Sequence, residues 1–314
     1  MAVRWTTADV PDQSGRTALV TGANGGLGYI TSRELAGKGA HVVLACRDRG
    51  RGADALGRLR SEVPDAAVEL LPLDLADLSS VRVAADAFAD RHQGLDVLVN
   101  NAGVMALPYR TTVDGFETQF GVNYLGHFAL TALLLPQLLR RPEARVVSVS
   151  SQMHRMGRID FGDLQGKRRY RKWAAYSNSK LANLLFAHEL GRRAEEAATS
   201  LRSVAAHPGY AATNLQLAGL HMGGDRIAES LMRLGNRFFA QSDEMGALPF
   251  LYAATMPGLA GGSYVGPGGL SRLRGYPKLV DSSAAAKDED IARRLWDVSA
   301  ELTGVDYHFT GVAG

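Results

Sequence analysis

The sequence predicts an α/β fold in which a single doubly wound parallel sheet carries helices on both faces. Three observations lead to this prediction. Short apolar runs alternate with longer helical segments, the apolar runs lack a polar residue at every second position, and no linker, repeat or low-complexity stretch interrupts the alternation. Unbroken hydrophobicity is typical of strands buried on both faces, and repeated strand–helix alternation indicates βαβ crossovers. All 314 residues are therefore expected to form one domain, 1–314.

Each short apolar run predicts a strand, and each longer segment between two such runs predicts a helix. The predicted strands are rich in Val and Leu, and they are Thr17–Val20, His41–Cys46, Val68–Leu73, Leu95–Asn100, Arg145–Ser150 and Leu201–Ala206. The helical segments between them include Asp48–Ser61, Leu78–His92, Gly115–Leu139 and Ala174–Glu196.

The segment Leu215–Gln241 departs from this alternation. It contains an amphipathic stretch, Ile227 to Phe239, and it follows the last predicted strand. Such an insertion is either a lid over a substrate pocket or an ordinary surface helix, and the sequence leaves both readings open.

Composition excludes several classes of protein. The hydrophobic fraction of 46% suits a buried core and argues against extensive disorder. The single cysteine, Cys46, excludes an intramolecular disulfide framework and fits a reducing compartment. The longest apolar segment, His127–Leu139, is interrupted by Pro136 and is shorter than the roughly 20 residues of a membrane span. We therefore expect a soluble, cytoplasmic protein without a membrane span.

Charge and histidine spacing exclude two further kinds of partner. The net charge is only +3, so the excess of arginine does not indicate nucleic-acid binding. His127, His154 and His207 lack a metal-ligand spacing, and no metal is expected. Positive charge is concentrated in Arg155–Lys172, which either attracts an anionic substrate to the mouth of a site or is a solvated loop.

A glycine-rich loop follows the first predicted strand and precedes helical sequence: Thr21-Gly22-Ala23-Asn24-Gly25-Gly26-Leu27-Gly28. Glycines permit a tight turn here and let backbone N–H groups approach a pyrophosphate at the N-terminus of the helix. The spacing is Gly-x3-Gly-x-Gly and differs from the Gly-x-Gly-x2-Gly of ordinary dinucleotide folds. The loop predicts a Rossmann-like dinucleotide site, with a purely structural turn as the alternative.

The residue at the tip of the second predicted strand indicates which dinucleotide is bound. NAD-binding proteins usually place a carboxylate there for the ribose 2′-hydroxyl, whereas this strand ends in Ala45-Cys46-Arg47. Arg47 can form charge-assisted hydrogen bonds to a 2′-phosphate. The sequence thus predicts a preference for NADP(H) and leaves NAD(H) open as a second cofactor, because the neighbouring Asp48 would weaken the attraction.

Tyr176 and Lys180 lie four positions apart in a predicted helix, so the phenol and the ammonium are expected on one face. Tyrosine titrates near pKa ~10, and a nearby cation lowers this pKa and makes the phenol a usable general acid or base. Chance also supplies such pairs in a chain of this length. The spacing alone is therefore a weak signal.

The pair gains weight from other motifs that occur in a fixed order. They are the glycine loop, Asn100-Asn101-Ala102-Gly103 after the fourth strand, Ser150-Ser151 after the fifth, and Tyr176-x3-Lys180 on the next helix. Together they resemble the short-chain dehydrogenase/reductase family over about residues 14–270. The resemblance implies an NAD(P)-dependent oxidoreductase acting on CH–OH and C=O groups. It implies a catalytic tetrad of Asn123, Ser151, Tyr176 and Lys180. It also implies cofactor contacts from Gly22, Asn24, Gly25, Gly26, Leu27, Gly28, Arg47, Asp74, Leu75, Asn101, Ala102, Gly103, Tyr176, Lys180, Pro208, Gly209 and Thr213.

Within that family, the chain is most similar to the branch of retinol dehydrogenases and relatives of protochlorophyllide reductase. The similarity lies in Leu44–Asp48, in Asn123–Phe128 and in the long interval between Ser151 and Tyr176. This branch implies interconversion of a small-molecule carbonyl and an alcohol. Reduction of a C=C bond in an enone or ring is an alternative, and a cofactor-binding sensor without catalysis is a second one. The long interval departs from the shorter members of the family and leaves the substrate open.

The resemblance also suggests a homo-oligomer. Relatives often pair through the helices that correspond here to Gly115–Leu139 and Ala174–Glu196. The C-terminal segment Asp281–Gly314 is long enough to cover this surface instead.

Overall fold

The structure, a computed structural model, describes residues 4–210, 242–269 and 272–309. Its strands, in chain order, are β1 (Thr17–Thr21), β2 (His41–Cys46), β3 (Val68–Pro72), β4 (Val97–Asn100), β5 (Arg145–Val149), β6 (Arg202–Ala206), β7 (Tyr264–Pro267) and β8 (Pro277–Leu279). The helices are α1 (Gly26–Gly37), α2 (Arg49–Glu62), α3 (Leu78–Arg91), α4 (Thr118–Phe120), α5 (Gly126–Leu133), α6 (Leu135–Leu139), α7 (Lys172–Glu196), α8 (Asp243–Thr255) and α9 (Glu289–Thr303). Short 3₁₀ turns occupy Thr7–Asp9, Gln152–Met156 and Ala284–Lys287.

The strands form one sheet in the order β3-β2-β1-β4-β5-β6-β7-β8. Neighbouring strands are parallel except β7 and β8, which are antiparallel. Every residue of β1, β4 and β5 is buried, and successive residues face opposite sides of a strand. Leu19 accordingly belongs to one hydrophobic core, while its neighbours Ala18 and Val20 belong to the other. The predicted doubly wound α/β sheet is confirmed.

The strand order places a crevice at the carboxyl ends of β1 and β4. The chain builds outward from β1 to β3, then returns and builds outward from β4 on the other side. The helices that follow β1 and β4 therefore diverge to opposite faces, and ligands of open α/β sheets bind in the gap between them. Thr21 and Asn100, the last residues of the two strands, lie at this gap.

The predicted helix Gly115–Leu139 is not continuous. It consists of α4, a π-helical turn at Gly121–Leu125, then α5 and α6. Pro136 lies in the first turn of α6, where its missing N–H removes no helical hydrogen bond. Apolar periodicity extends through all these pieces, which is why the sequence predicts one helix. The π turn is one residue wider than an α turn and marks functional sites in many helices.

The C-terminal helix α9 covers the outer face of α7 and α5. Trp296 of α9 stacks on Phe186 of α7, with ring centroids 5.8 Å apart, and meets Phe128 of α5 edge-on at 5.1 Å. Beyond α9, the Tyr307 hydroxyl donates to the main-chain oxygen of Phe128 at 2.7 Å. The C-terminal segment therefore covers part of α5 and α7, and a homo-oligomer stays a prediction.

The remaining sequence predictions concern the possible lid, Thr213 and a membrane span. The segment 215–241 and Thr213 lie outside the described ranges. Among the helices of the described ranges, none has both the length and the apolarity that crossing a bilayer requires.

Candidate functional site

The glycine loop lies at the carboxyl end of β1, at the crevice. Gly22 adopts a left-handed φ of +67°, and a Cβ on it would lie 3.0 Å from the Ala102 Cα. A Cβ on Gly28 would lie 2.5 Å from both the Asn101 amide nitrogen and the Gly22 oxygen. These two glycines are required because the loop packs directly against the motif after β4.

The other two glycines of the loop leave space at the N-terminus of α1. A Cβ on Gly25 or Gly26 would meet nothing within 4 Å. Gly25 is the N-cap of α1 and offers no side chain to the first N–H groups, whereas α2, α3, α8 and α9 begin at Asp or Ser side chains that accept such groups. The uncapped N–H groups and the helix dipole favour an anion there, so this cradle fits a dinucleotide pyrophosphate.

Thr21 and Asn101 hold this loop in place. The Thr21 hydroxyl accepts the main-chain N–H groups of Asn101 and Ala102, each at 2.9 Å. The Asn101 amide nitrogen donates to the Thr21 main-chain oxygen at 2.7 Å. The Asn101 side chain therefore joins β1 to the segment after β4. This contact was not predicted from the sequence, where the family resemblance implied a cofactor contact for Asn101.

Arg47 follows the last residue of β2 at the same edge of the sheet and is exposed. Within the described ranges its side chain forms no ion pair. The carboxylate of Asp48 caps α2, since it accepts the Arg51 N–H at 3.0 Å, and lies 3.9 Å from the Arg51 guanidinium. Asp48 therefore interacts with Arg51, and its charge is directed away from Arg47.

Asp74 and Leu75 follow β3, which pairs with β2 up to Cys46 and Pro72. The Asp74 carboxylate accepts the Ala76 N–H at 2.9 Å, and Leu75 is buried. Both residues lie close to the end of β2, where the family resemblance implies cofactor contacts.

Tyr176 and Lys180 lie on the face of α7 that is turned toward the sheet, and both are almost fully buried. The Lys180 ammonium donates to the Val149 main-chain oxygen at 3.1 Å and lies 5.8 Å from the centre of the Tyr176 ring. Ser151, two residues beyond Val149, lies near the Tyr176 phenol and lowers its pKa. Three of the four tetrad residues predicted from the sequence therefore meet at the end of β5.

The expected lowering of the tyrosine pKa is not observed. Burial raises the pKa of Tyr176 to about 12, although the nearby Ser151 side chain lowers it in part. Burial also lowers the pKa of Lys180 to about 8. The ammonium is turned toward Val149 and does not offset the burial of the phenol. In this structure Tyr176 is thus a protonated acid at neutral pH, while Lys180 is cationic below about pH 8.

Asn123, the fourth predicted tetrad residue, lies in the π turn and is fully buried. Its amide oxygen accepts the Val104 N–H at 2.7 Å, and its amide nitrogen donates to the Val104 oxygen and to the Ser179 hydroxyl, each at 2.9 Å. Asn123 thus lies between the Gly103–Val104 segment and α7. Its membership of a catalytic tetrad stays a prediction.

His127, one turn after Asn123, joins β1 to the π turn, a contact that was not predicted from the sequence. Its Nδ1 lies 3.0 Å from the main-chain oxygen of Asn123, an atom that can only accept, so Nδ1 carries the proton. Its Nε2 lies 2.9 Å from the Thr21 hydroxyl and therefore accepts from it. Burial and nearby Lys180 lower the pKa of His127 to about 4, which keeps the ring neutral. No spacing rule signals this contact, because it joins residues from different motifs.

The segment after β6 closes the other side of the crevice. Gly209 has a φ of +72°, and its N–H donates to His207 Nδ1 at 3.1 Å. A Cβ on Gly209 would lie 2.4 Å from the Leu273 oxygen, so only glycine fits. Pro208 precedes it at the same turn, next to the end of β6.

The wall beside Tyr176 is apolar. Met105 and Ala106 are buried against the ring, and the half-buried Met153 packs on the same cluster. Flexible methionine side chains suit a surface that receives an irregular apolar molecule.

Much of the basic segment lies away from this wall. Its residues Arg158, Arg169 and Arg171 line a cleft together with Ala174 and Asn178 of α7. Ala174 and Asn178 are each two positions from Tyr176 along α7, and residues two apart on a helix do not share a face. The cleft therefore opens on a different face of α7 from the buried face that carries Tyr176 and Lys180. The hypothesis that the basic residues attract an anionic substrate toward Tyr176 is therefore not supported for this part of the segment.

These residues bring an acid, a cation and an anion cradle to one edge of the sheet. The phenol of Tyr176 can exchange a proton with an oxygen held by Ser151, and the cradle at Gly25 can hold phosphates. Such an arrangement can serve proton-coupled hydride transfer between a dinucleotide and a carbonyl compound.

The chain is similar to known proteins in sequence and in fold. Residues 16–219 match the family model for short chain dehydrogenase. The chain is 42% identical to retinol dehydrogenase 14 of Mus musculus over 301 residues, which cover 93% of this chain and 86% of that protein. A crystal structure of an uncharacterized protein from Mycobacterium paratuberculosis is 46% identical, with a TM-score of 0.80, and covers 98% of this chain and 100% of that one. The NADP active-site complex of RhlG from Pseudomonas aeruginosa is 25% identical, with a TM-score of 0.61, over 81% of this chain and 94% of that one.

Proposed function

This chain belongs to the short-chain dehydrogenase family, in its retinol dehydrogenase-like branch, and is an NAD(P)-dependent oxidoreductase of alcohol and carbonyl groups; we propose that it prefers NADP(H) and uses Tyr176 as its proton donor. The observation that carries this proposal is the burial of Tyr176 and Lys180 together at the end of β5, with the Lys180 ammonium 5.8 Å from the Tyr176 ring. A phenol that is protonated at neutral pH suits the reductive direction, in which the carbonyl oxygen must receive a proton.

The nicotinamide cofactor, when bound, supplies the hydride in reduction and accepts it in oxidation. The residues present fit such a group, because the Gly25–Gly26 cradle is open and α1 begins without a side-chain cap. Arg47 would bind a 2′-phosphate. The NADP complex of RhlG supports a nicotinamide dinucleotide with this phosphate.

The residues of the chain would then handle the proton. Ser151 holds the carbonyl oxygen of the substrate within reach of the phenol, and Tyr176 donates its proton to that oxygen. Lys180, on the same helix face, would stabilise the phenolate left on Tyr176 once its ammonium turns from Val149 toward the phenol. Asn123 positions the Gly103–Val104 segment and α7 relative to each other and does not itself exchange the proton.

We propose an apolar carbonyl or alcohol as the substrate. Met105, Ala106 and Met153 surround the phenol with apolar surface, and the similar mouse protein is named for retinol, an apolar alcohol. Location in the cytoplasm stays a prediction, for which the buried single thiol of Cys46 is the supporting feature.

Replacing Tyr176 with phenylalanine tests the proton donor. Tyr176→Phe keeps the ring volume and removes only the hydroxyl, so NADPH-dependent reduction of an apolar aldehyde should fall by at least about 100-fold. NADPH affinity, measured by fluorescence titration, should change little. The exposed Tyr109 offers a matched control, and Tyr109→Phe should leave both quantities unchanged. Full activity in Tyr176→Phe would refute the assignment. Wild-type protein that binds NADPH without turning over aldehydes, ketones or enones would instead be a sensor.

The pH dependence of reduction tests the part played by Lys180. Its pKa is lowered from 10.5 to about 8, so the ammonium is present below pH 8 and lost above it. The phenolate that forms on Tyr176 then loses its cation, and kcat/KM for reduction should fall as the pH rises through about 8. Circular dichroism across the range checks that the fold persists. A profile that stays flat until the Tyr176 pKa of about 12 would contradict this account.

Removing the Arg47 guanidinium tests the preference for NADP(H). Charge-assisted hydrogen bonds to a phosphate contribute about 1.5–3 kcal/mol each, so Arg47→Ala should weaken NADPH binding roughly tenfold to a hundredfold and NADH binding much less. Arg140, exposed and close to the opposite end of the sheet, provides the control variant Arg140→Ala. Equal losses for the two dinucleotides would exclude Arg47 from this role.

A further inference from the structure

Two histidines and a glutamate meet at the edge of the sheet that lies opposite the crevice. His41 is the first residue of β2, Glu69 is the second residue of β3, and His92 follows α3. One ligand atom from each lies within 4.8 Å of the others. Because β2 runs about 16 Å from His41 to Cys46 at ~3.3 Å per residue, this cluster is remote from the candidate active site.

We propose that His41, Glu69 and His92 form a binding site for a divalent transition-metal ion of the Zn²⁺ type. Two imidazole nitrogens and one carboxylate oxygen are the donors that Zn²⁺ and related ions prefer, whereas Mg²⁺ and Ca²⁺ prefer oxygen alone. Three protein ligands leave a fourth, tetrahedral position for water. The proposal is independent of the oxidoreductase function proposed above.

The separation of His41 and Glu69 suits a shared ion better than direct pairing. His41 Nε2 lies 3.7 Å from Glu69 Oε1, too far for a hydrogen bond. Two donors bound to one Zn²⁺ at about 2.0–2.1 Å lie roughly 3.3 Å apart in tetrahedral geometry. His92 Nε2 contacts the same oxygen directly, and this contact would open by a short movement when an ion enters between them.

The imidazole of His41 has its Nε2 turned toward Glu69 Oε1 and available to an ion beside it. Within the part of the chain that the structure describes, no hydrogen bond involves this ring.

The surrounding residues hold the ligands in place. Arg91 donates to the other oxygen of Glu69, Oε2, at 2.7 Å, which turns Oε1 toward the two imidazoles. Outer contacts of this kind orient the ligands of metal sites. The His92 ring packs at 4.5 Å on Phe88, which is fully buried. Glu69 pairs in register with Val43 of β2.

No metal was expected from the sequence, because His127, His154 and His207 lack a metal-ligand spacing. The proposed ligands come from three separate elements and have no local spacing that would reveal them. Only the pairing of β2 with β3 and the return of α3 bring them together.

Metal titration of tag-free, chelator-treated protein tests the proposal. Zn²⁺ titrated against a chromophoric competitor should bind with one high-affinity site per chain, and Co²⁺ should give the visible absorption of a tetrahedral site. His41→Gln combined with His92→Gln should weaken Zn²⁺ binding at least about tenfold and abolish the Co²⁺ absorption. The exposed His308 gives a matched control, His308→Ala, which should bind Zn²⁺ as the wild type does.

A second variant guards against misfolding. Glu69→Gln keeps the size of the side chain and removes its charge, so it should also weaken Zn²⁺ binding, while thermal unfolding in chelator confirms that the variants are folded. Equal Zn²⁺ affinity in the wild type and in the folded double variant would overturn the proposal. So would a wild type that binds no Zn²⁺ in this titration.

Discussion

A single buried hydroxyl, that of Thr21, fixes the end of the central strand β1 against its neighbours. It accepts two main-chain N–H groups from the segment after β4, and it donates to His127 of α5. Leaving a buried donor or acceptor unpaired costs about 1–3 kcal/mol. The glycine loop, the Asn101–Ala102 segment and the helix that carries His127 therefore share one anchor.

The same anchor reaches the catalytic side of the crevice. Through its other nitrogen, His127 binds the main-chain oxygen of Asn123, whose amide in turn joins Val104 to Ser179 of α7. Ser179 lies between Tyr176 and Lys180 in sequence. Because the Ser179 hydroxyl donates to the main-chain oxygen of Tyr176, a chain of hydrogen bonds between neutral groups runs from the dinucleotide cradle to the proposed acid. Lys180 is a buried cation beside this chain, and its burial lowers its pKa.

Most of the fold could be predicted from the sequence, because strands β1 to β6 are mostly apolar and alternate with helical segments. The elements that escaped prediction are local exceptions. The π turn at Gly121–Leu125 continues the apolar period of its helix, β7 has only four residues, and β8 has only three residues, two of them exposed. Of the candidate site, Ser151, Tyr176 and Lys180 were found through their order along the chain. The hydrogen bonds of Asn101 and His127 were not, since each depends on which strand ends are neighbours.

The most direct test of this account compares Thr21→Val with Thr21→Ser. Valine preserves the shape of the side chain and removes the hydroxyl, whereas serine keeps the hydroxyl. We predict that Thr21→Val lowers the free energy of unfolding by about 1–3 kcal/mol and reduces kcat for NADPH-dependent carbonyl reduction, while Thr21→Ser loses much less of both. A Thr21→Val protein as stable and as active as Thr21→Ser would show that this hydroxyl does not hold the site together.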